Sequence, residues 1–305
     1  MQTFGQPSFE YRRREKEEES FPFDEAYLRA NKILKEQEIQ PAEFYDVINP
    51  DEIESDLAYV RRMEHEYEKR ETPEEKESHK LSDILEAVMH QEIELSDWLG
   101  PDTETIRPSR FDDIKNGVDS VIRIRKGGSE DTRLALGIDV TFSKYSLEKK
   151  MKRILREIDS GELAEVKYYS EEDEESEKPR HVAHLRVPRI AVGFNAPVIR
   201  ELGGIWMDKT RKKDLARHPV QHLLADEIMM QLKVLGDYAE QKGKPSIAAA
   251  YRKALTELTS SVRKKATGKV EGISETLPAH LTGDRVYVWL KSYMEDLQKG
   301  FAQAS

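Results

Sequence analysis

Three acidic side chains stand where the surrounding pattern asks for apolar or small residues. Asp119 opens the strand-like run VDSVIRIRK, Asp139 interrupts the run RLALGIDVTFS, and Glu92 lies in the helical stretch KLSDILEAVMHQEIELSDWLG. Side chains of a strand alternate between two faces. Leu134, Leu136, Ile138, Val140 and Phe142 therefore share one face, while Ala135, Gly137, Asp139, Thr141 and Ser143 share a small, polar one. At about 100° per residue, Leu81, Leu85, Val88, Leu95 and Leu99 form one helical stripe that includes Glu92, and Glu86 and Glu94 fall off it. Two carboxylates on neighbouring strands repel each other and are costly to bury. A divalent cation relieves both problems, because magnesium takes oxygen ligands and uses one or two carboxylates plus water.

The elements that must position these acids are legible around them. Ser82 is a plausible cap for the Glu92 helix, and Gly100 follows its far end. TIRPSRFDDI reads as a short extended piece, Asn116-Gly117 as a hairpin turn, and Gly127-Gly128 as a second turn. Counting outward from that second turn, Asp119 and Asp139 are comparably distant, so antiparallel pairing can bring them together. SLEKKMKRILREIDSG follows as an amphipathic helix with Leu147, Met151, Ile154, Leu155 and Ile158 on one side. ELAEVKYYS and PRIAVGFN read as further strands separated by the acidic loop EEDEESEKPR, and APVIRELGGIW as a helix. The expected fold class is α/β: a central mixed sheet with an antiparallel three-strand meander followed by helix and strand, flanked by N-terminal and C-terminal helices. The expected division is a disordered tail over 1–22 and a charged helical arm and linker over 23–78. An α/β core over 79–210 and a C-terminal helical region over 211–305 complete it.

Composition narrows the chemistry. The 305 residues are 35% charged and 37% hydrophobic, with a net charge of −10, so any nucleic-acid surface must be local. The absence of cysteine excludes disulfides, thiolate nucleophiles and cysteine-ligated zinc. No apolar run approaches the roughly 18–20 residues that cross a bilayer, and the opening MQTFGQPSFEYRRREKEEE has no apolar signal segment. The expectation is a cytoplasmic protein without membrane contact, whose helical regions leave room for a homo-oligomer.

The order of helix with glutamate, strands with an aspartate and a second acid, helix, strand resembles the PD-(D/E)XK nuclease superfamily, the restriction-endonuclease-like fold. The resemblance covers about Leu81 to Glu171. The wider string SRFDDIKNGVDSVI…LALGIDVTF…ELAEVKYY also resembles an uncharacterised group of nuclease-like proteins from small-genome bacteria. The resemblance implies phosphodiester hydrolysis on DNA or RNA with Mg2+ (or Mn2+), and Glu92, Asp119 and Asp139 as metal ligands, Asp139 also being catalytic. The family's lysine two residues beyond the third-strand acid is Thr141 here. Threonine carries no charge, so Lys149, in the first turn of the next helix, is the candidate catalytic cation in preference to Lys144. The alternative is a catalytically inactive module of the same kind that binds nucleic acid or a protein partner.

Other residues weigh less. Asp112 and Asp113 read as turn formers or as neighbours of the site, and His218 and His222 as structural, since Pro219 interrupts their spacing. Tyr168 and Tyr169 read as strand packing. The basic segments KKMKR (149–153), KTRKK (209–213) and VRKKATGK (262–269) are candidates for phosphate contacts, the first adjoining the acids.

Overall fold

The computed structural model describes residues 22–124, 134–141, 144–172, 179–265 and 277–302. The expected tail up to residue 21, the Gly127-Gly128 turn, the end of the third strand at 142–143, the acidic loop at 173–178 and the basic residues 266–269 lie outside the described residues.

Three helices lead into the sheet: α1 (Phe23–Gln37), α2 (Pro50–Arg70) and α3 (Pro73–Leu95). The start of α3 corrects the expected linker. The Thr72 side chain accepts from the Glu75 amide while the Glu75 carboxylate accepts from the Thr72 amide at 2.9 Å, and Pro73 takes the first helical position. That reciprocal cap and a preset proline φ begin the helix nine residues before the apolar run, so Thr72 and not Ser82 is the cap. The charged arm is not merely solvated. Ala26, Ala30 and Leu34 of α1 enter the main core, and Ile53 and Val60 of α2 pack with Phe44, Phe111 and Tyr168.

Strands β1 (Thr103–Ile106), β2 (Ser120–Ile124) and β3 (Leu134–Thr141) precede helix α4 (Lys144–Ser160); β4 (Ala164–Glu172), β5 (Pro179–Val187) and β6 (Arg189–Gly193) follow it. The molecule is thus mixed α and β. The larger sheet has the order β1-β2-β3-β6, with β1 and β3 antiparallel to β2 and β6 parallel to β3. β4 and β5 form a separate antiparallel pair. The sequence reading lacks β5, whose burial is mostly partial and whose His184 stands at φ 58°. A strand interrupted by a left-handed residue and wet on one side shows little alternation.

Between β1 and β2 the chain makes a single π-helical turn, Asp112–Asn116, closed by Gly117 at φ 60°. The Asn116-Gly117 pair therefore ends a helical turn and does not make the expected hairpin, because a left-handed glycine serves a helix C-terminus as readily as a two-residue loop.

Helices α5 (Ala196–Met207), α6 (Lys212–Ala216), α7 (Val220–Gln241), α8 (Pro245–Lys265), α9 (Ala279–Thr282) and α10 (Arg285–Ala302) complete the chain. One apolar cluster runs from Ala26 of α1 through Ile122, Ile190 and Val192 of the sheet to Met294 of α10. The other side of the sheet meets the β4–β5 hairpin through Val118, Val121, Val166 and Val187. Gly137 lets the hairpin approach closely there: a Cβ would come within 3.3 Å of Val187 Cγ2. The open edge of β6 is covered by Gln231 of α7, which accepts from the Ala191 amide at 3.0 Å and donates to its carbonyl at 2.7 Å. That closes an edge otherwise prone to pairing with another chain.

Candidate functional site

Asp119 is set by two local features. Gly117 turns the chain out of the π-helical turn, and Val118 is fully buried under the hairpin, so Asp119 arrives at the mouth of β2. The last pair of the β2–β3 ladder is Ser120↔Ile138. Carrying that antiparallel register one residue further places position 119 opposite position 139, and opposite positions share a face of the sheet. On its other side Asp139 pairs with Ala191 of β6. The backbone of Asp139 and Thr141 is described; their side chains are not.

Among the described residues Lys150 lies beside Asp119, its Nζ 3.6 Å from the carboxylate. Lys149, the residue expected there, is exposed and sits with Nζ 4.3 Å from the ring centre of Tyr145. The difference is a rotation of about 100° around α4. Leu147 and Met151 face the core, which sends Lys150 along the sheet side of the helix and Lys149 outward.

Arg107, just past β1 and 6% exposed, gathers the remaining acids. Its guanidinium pairs with Glu86 of α3, donates to the Asp119 carbonyl at 2.5 Å and reaches Asp113 Oδ2 at 3.2 Å. Arg110 donates to the same Asp113 oxygen at 2.5 Å and to Glu64 of α2 at 3.0 Å. Burial raises the Asp113 carboxyl above the usual range, with Arg107 pulling it back and Asp119 adding to the rise. The Asp83 carboxyl is pushed up to about 6, first by burial, against the pull of Arg107.

Glu92 does not join this group. Its carboxylate accepts from Ser96 Oγ at 2.5 Å and lies in the field of Arg29 and Lys265, and burial raises its pKa above the ordinary value. Six residues separate Glu86 from Glu92, about 9 Å of helix rise and a different face. The helix acid at the sheet is Glu86, which the leucine stripe excludes. Residues 84–90 of α3 are all buried, so the helix is enclosed on every side and the stripe has no wet face to define it. A usable signal was the interruption of the apolar run Ile84-Leu85-Glu86-Ala87-Val88-Met89 by one acid.

The other candidates have structural work. Asp112, fully buried, accepts from the amides of Lys167 and Tyr168 at 2.6 and 3.1 Å and from Ser109 and Asn116 at 2.8 Å, pinning β4 to the π-helical turn. The Tyr168 hydroxyl donates to Asp56 at 2.7 Å. His218 precedes α7 with Nε2 3.5 Å from Glu201, and His222 is held below its ordinary pKa by burial and by Lys265. Among the described residues no three His, Asp or Glu side chains are grouped to hold a metal ion.

What the arrangement offers is a pair of facing acid positions at one end of a sheet, a lysine on the first, and a buried arginine between that strand and a helix glutamate. Carboxylates brought together at these two positions would match the oxygen donors magnesium uses. Comparison of the chain with family models, curated proteins and solved structures returns no match. No helix among the described residues is long and apolar enough to cross a membrane.

Proposed function

We propose that the end of the sheet bearing Asp119 and Asp139 is a metal-dependent site that hydrolyses phosphodiester bonds of DNA or RNA, in a chain that resembles the PD-(D/E)XK nucleases. The observation that supports this reading is the β2–β3 register, which, carried one residue beyond Ser120↔Ile138, would bring position 119 opposite position 139, with Lys150 beside Asp119. Asp119 and Asp139 would hold Mg2+ or Mn2+, with Glu86 in the place first given to Glu92. A bound ion of this kind supplies charge to the phosphate oxygens and acidity to a water. Lys150 brings to this site the positive charge that Thr141 lacks, and Arg107 orients the Asp119 backbone from behind.

The test is cleavage of labelled DNA and RNA by the purified protein with magnesium or manganese. Wild type is expected to cut, chelator to stop it, and Asp119→Asn and Asp139→Asn to be inactive. Equal cutting by the variants and wild type removes the assignment. A second reading has its own observation: Glu86 is already neutralised by Arg107, as befits a module of this fold that binds nucleic acid without cutting. Chelator-insensitive binding with no cleavage by wild type favours it.

A further inference from the structure

The solvent side of α4 is rich in cations from Tyr145 to Arg156, with Glu148 paired to Lys152 at 2.6 Å and exposed Asp159 beyond the last of them. Tyr145, Lys149, Lys152, Arg153 and Arg156 recur at spacings of three and four and so line one side of the helix. Tyr145 is 68% exposed, unusual for so large a ring, and Lys149 lies over it. From Tyr145 to Arg156 the stripe runs about 16 Å. At its far end Arg153 and Arg156 border an open cleft with Lys115. Glu157, the acid of that cleft, is taken by Arg153 and by buried Arg189, each at 3.3 Å. Among the described residues Lys149 and Arg156 form no ion pair, Arg156 Nε donating to the Lys152 carbonyl at 3.1 Å, and Lys115 Nζ lies 5.1 Å from the ring centre of Tyr59. In a chain of net charge −10 this is a local reversal of sign, and Lys150 joins the same helix to Asp119.

We propose that this stripe is a track for single-stranded nucleic acid, with phosphates along Lys149, Arg156 and Lys115 and an unpaired base stacked on Tyr145. The proposal rests on the reading that the chain acts on nucleic acid and adds the strandedness of its substrate. Regularly spaced cations answer a phosphate backbone, and an exposed ring beside them can stack only on a base whose face is free.

The experiment is fluorescence anisotropy of a labelled oligothymidylate of about 20 nucleotides and of a duplex with equal phosphates, in chelator so that nothing is cut. The single strand is expected to bind more tightly. Tyr145→Ala should weaken it roughly tenfold or more, and Tyr145→Phe should match wild type. Lys149→Gln with Arg156→Gln should flatten the log-affinity against log-salt slope by about 1.4, near 0.7 for each lost phosphate contact. All these positions are on the surface, and unchanged thermal unfolding verifies the fold. Equal affinity for the duplex, an unaffected Tyr145→Ala, an unchanged salt slope or no binding by wild type overturns the proposal. Cleavage separates the two readings: binding without cutting by wild type overturns hydrolysis while leaving the track standing.

Discussion

Lys150 and Lys149 are neighbours in sequence with opposite surroundings. Lys150 is turned to the sheet, 3.6 Å from Asp119, whereas Lys149 lies over an exposed tyrosine. Their substitutions should separate accordingly. With saturating substrate, Lys150→Gln is expected to lower the single-turnover cleavage rate by about a hundredfold, the usual scale for losing one charge aimed at a reacting phosphate. Lys149→Gln should leave that rate within about twofold of wild type and raise the substrate concentration needed to reach it. Similar losses of rate in both variants would return Lys149 to the site. Glu86 and Glu92 form a comparable pair on α3. Both are 7% exposed, yet one answers Arg107 at the sheet and the other Ser96, Arg29 and Lys265 at the far end. A sequence shows that an acid interrupts an apolar helix; it does not show which buried cation waits for it.

At the scale of elements, the docking of α8 against the chain entering β1 depends on Gly100. It stands at φ 99°, and a Cβ there would lie 2.2 Å from the Ser261 carbonyl oxygen. Backbone cannot yield as a side chain tip can. Gly100→Ala should therefore cost about 3 kcal/mol or more, combining a strained φ with a displaced helix. Urea unfolding measures it, and a loss under about 1 kcal/mol would show that the contact relaxes. Gly100 does not end the helix as its position suggested, since α3 stops at Leu95 with Ser96 as its C-cap, and its partner is 161 positions away and carries no local mark. Helix α4 was legible because its own residues carry the apolar stripe that sets its core face. The start of α3 was misread because charged first turns look like linker, and β5 because its alternation is broken at His184.

The apolar cluster that runs from α1 to α10 includes Leu223, Leu224 and Ile228 around Glu227, so a buried charge there acts on global stability. Glu227 of α7 is fully buried, and its carboxylate accepts from the Gly193 amide of β6 at 3.2 Å. Burial pushes its carboxyl well above the ordinary 4.5, and nearby Asp284 and Asp226 add to the rise. The folded state holds this proton more tightly than the unfolded chain. As pH rises past the ordinary glutamate range the unfolded state releases its proton first, so stability declines until the folded pKa is reached. Glu227→Gln, which keeps the acceptor for Gly193, should be more stable than wild type at pH 8 and equal to it near pH 4. Melting temperature against pH for both proteins checks this, and parallel curves would remove Glu227 as the cause.

The sequence alone determined the alternation of helix and strand where periodicity and caps were strong, and it marked the acids at the strand ends by their cost in a sheet. Those properties are local, since each residue's backbone preference and the nearest few side chains decide them. Tertiary structure decided which side chains meet. The β2–β3 register set the ladder that leads out to positions 119 and 139, the packing of α3 put Glu86 and not Glu92 against Arg107, and the rotation of α4 on its core face put Lys150 beside Asp119. A turn of about 100° or a slip of one residue alters nothing in local propensity, yet it changes every partner, and only packing between distant segments selects among such states.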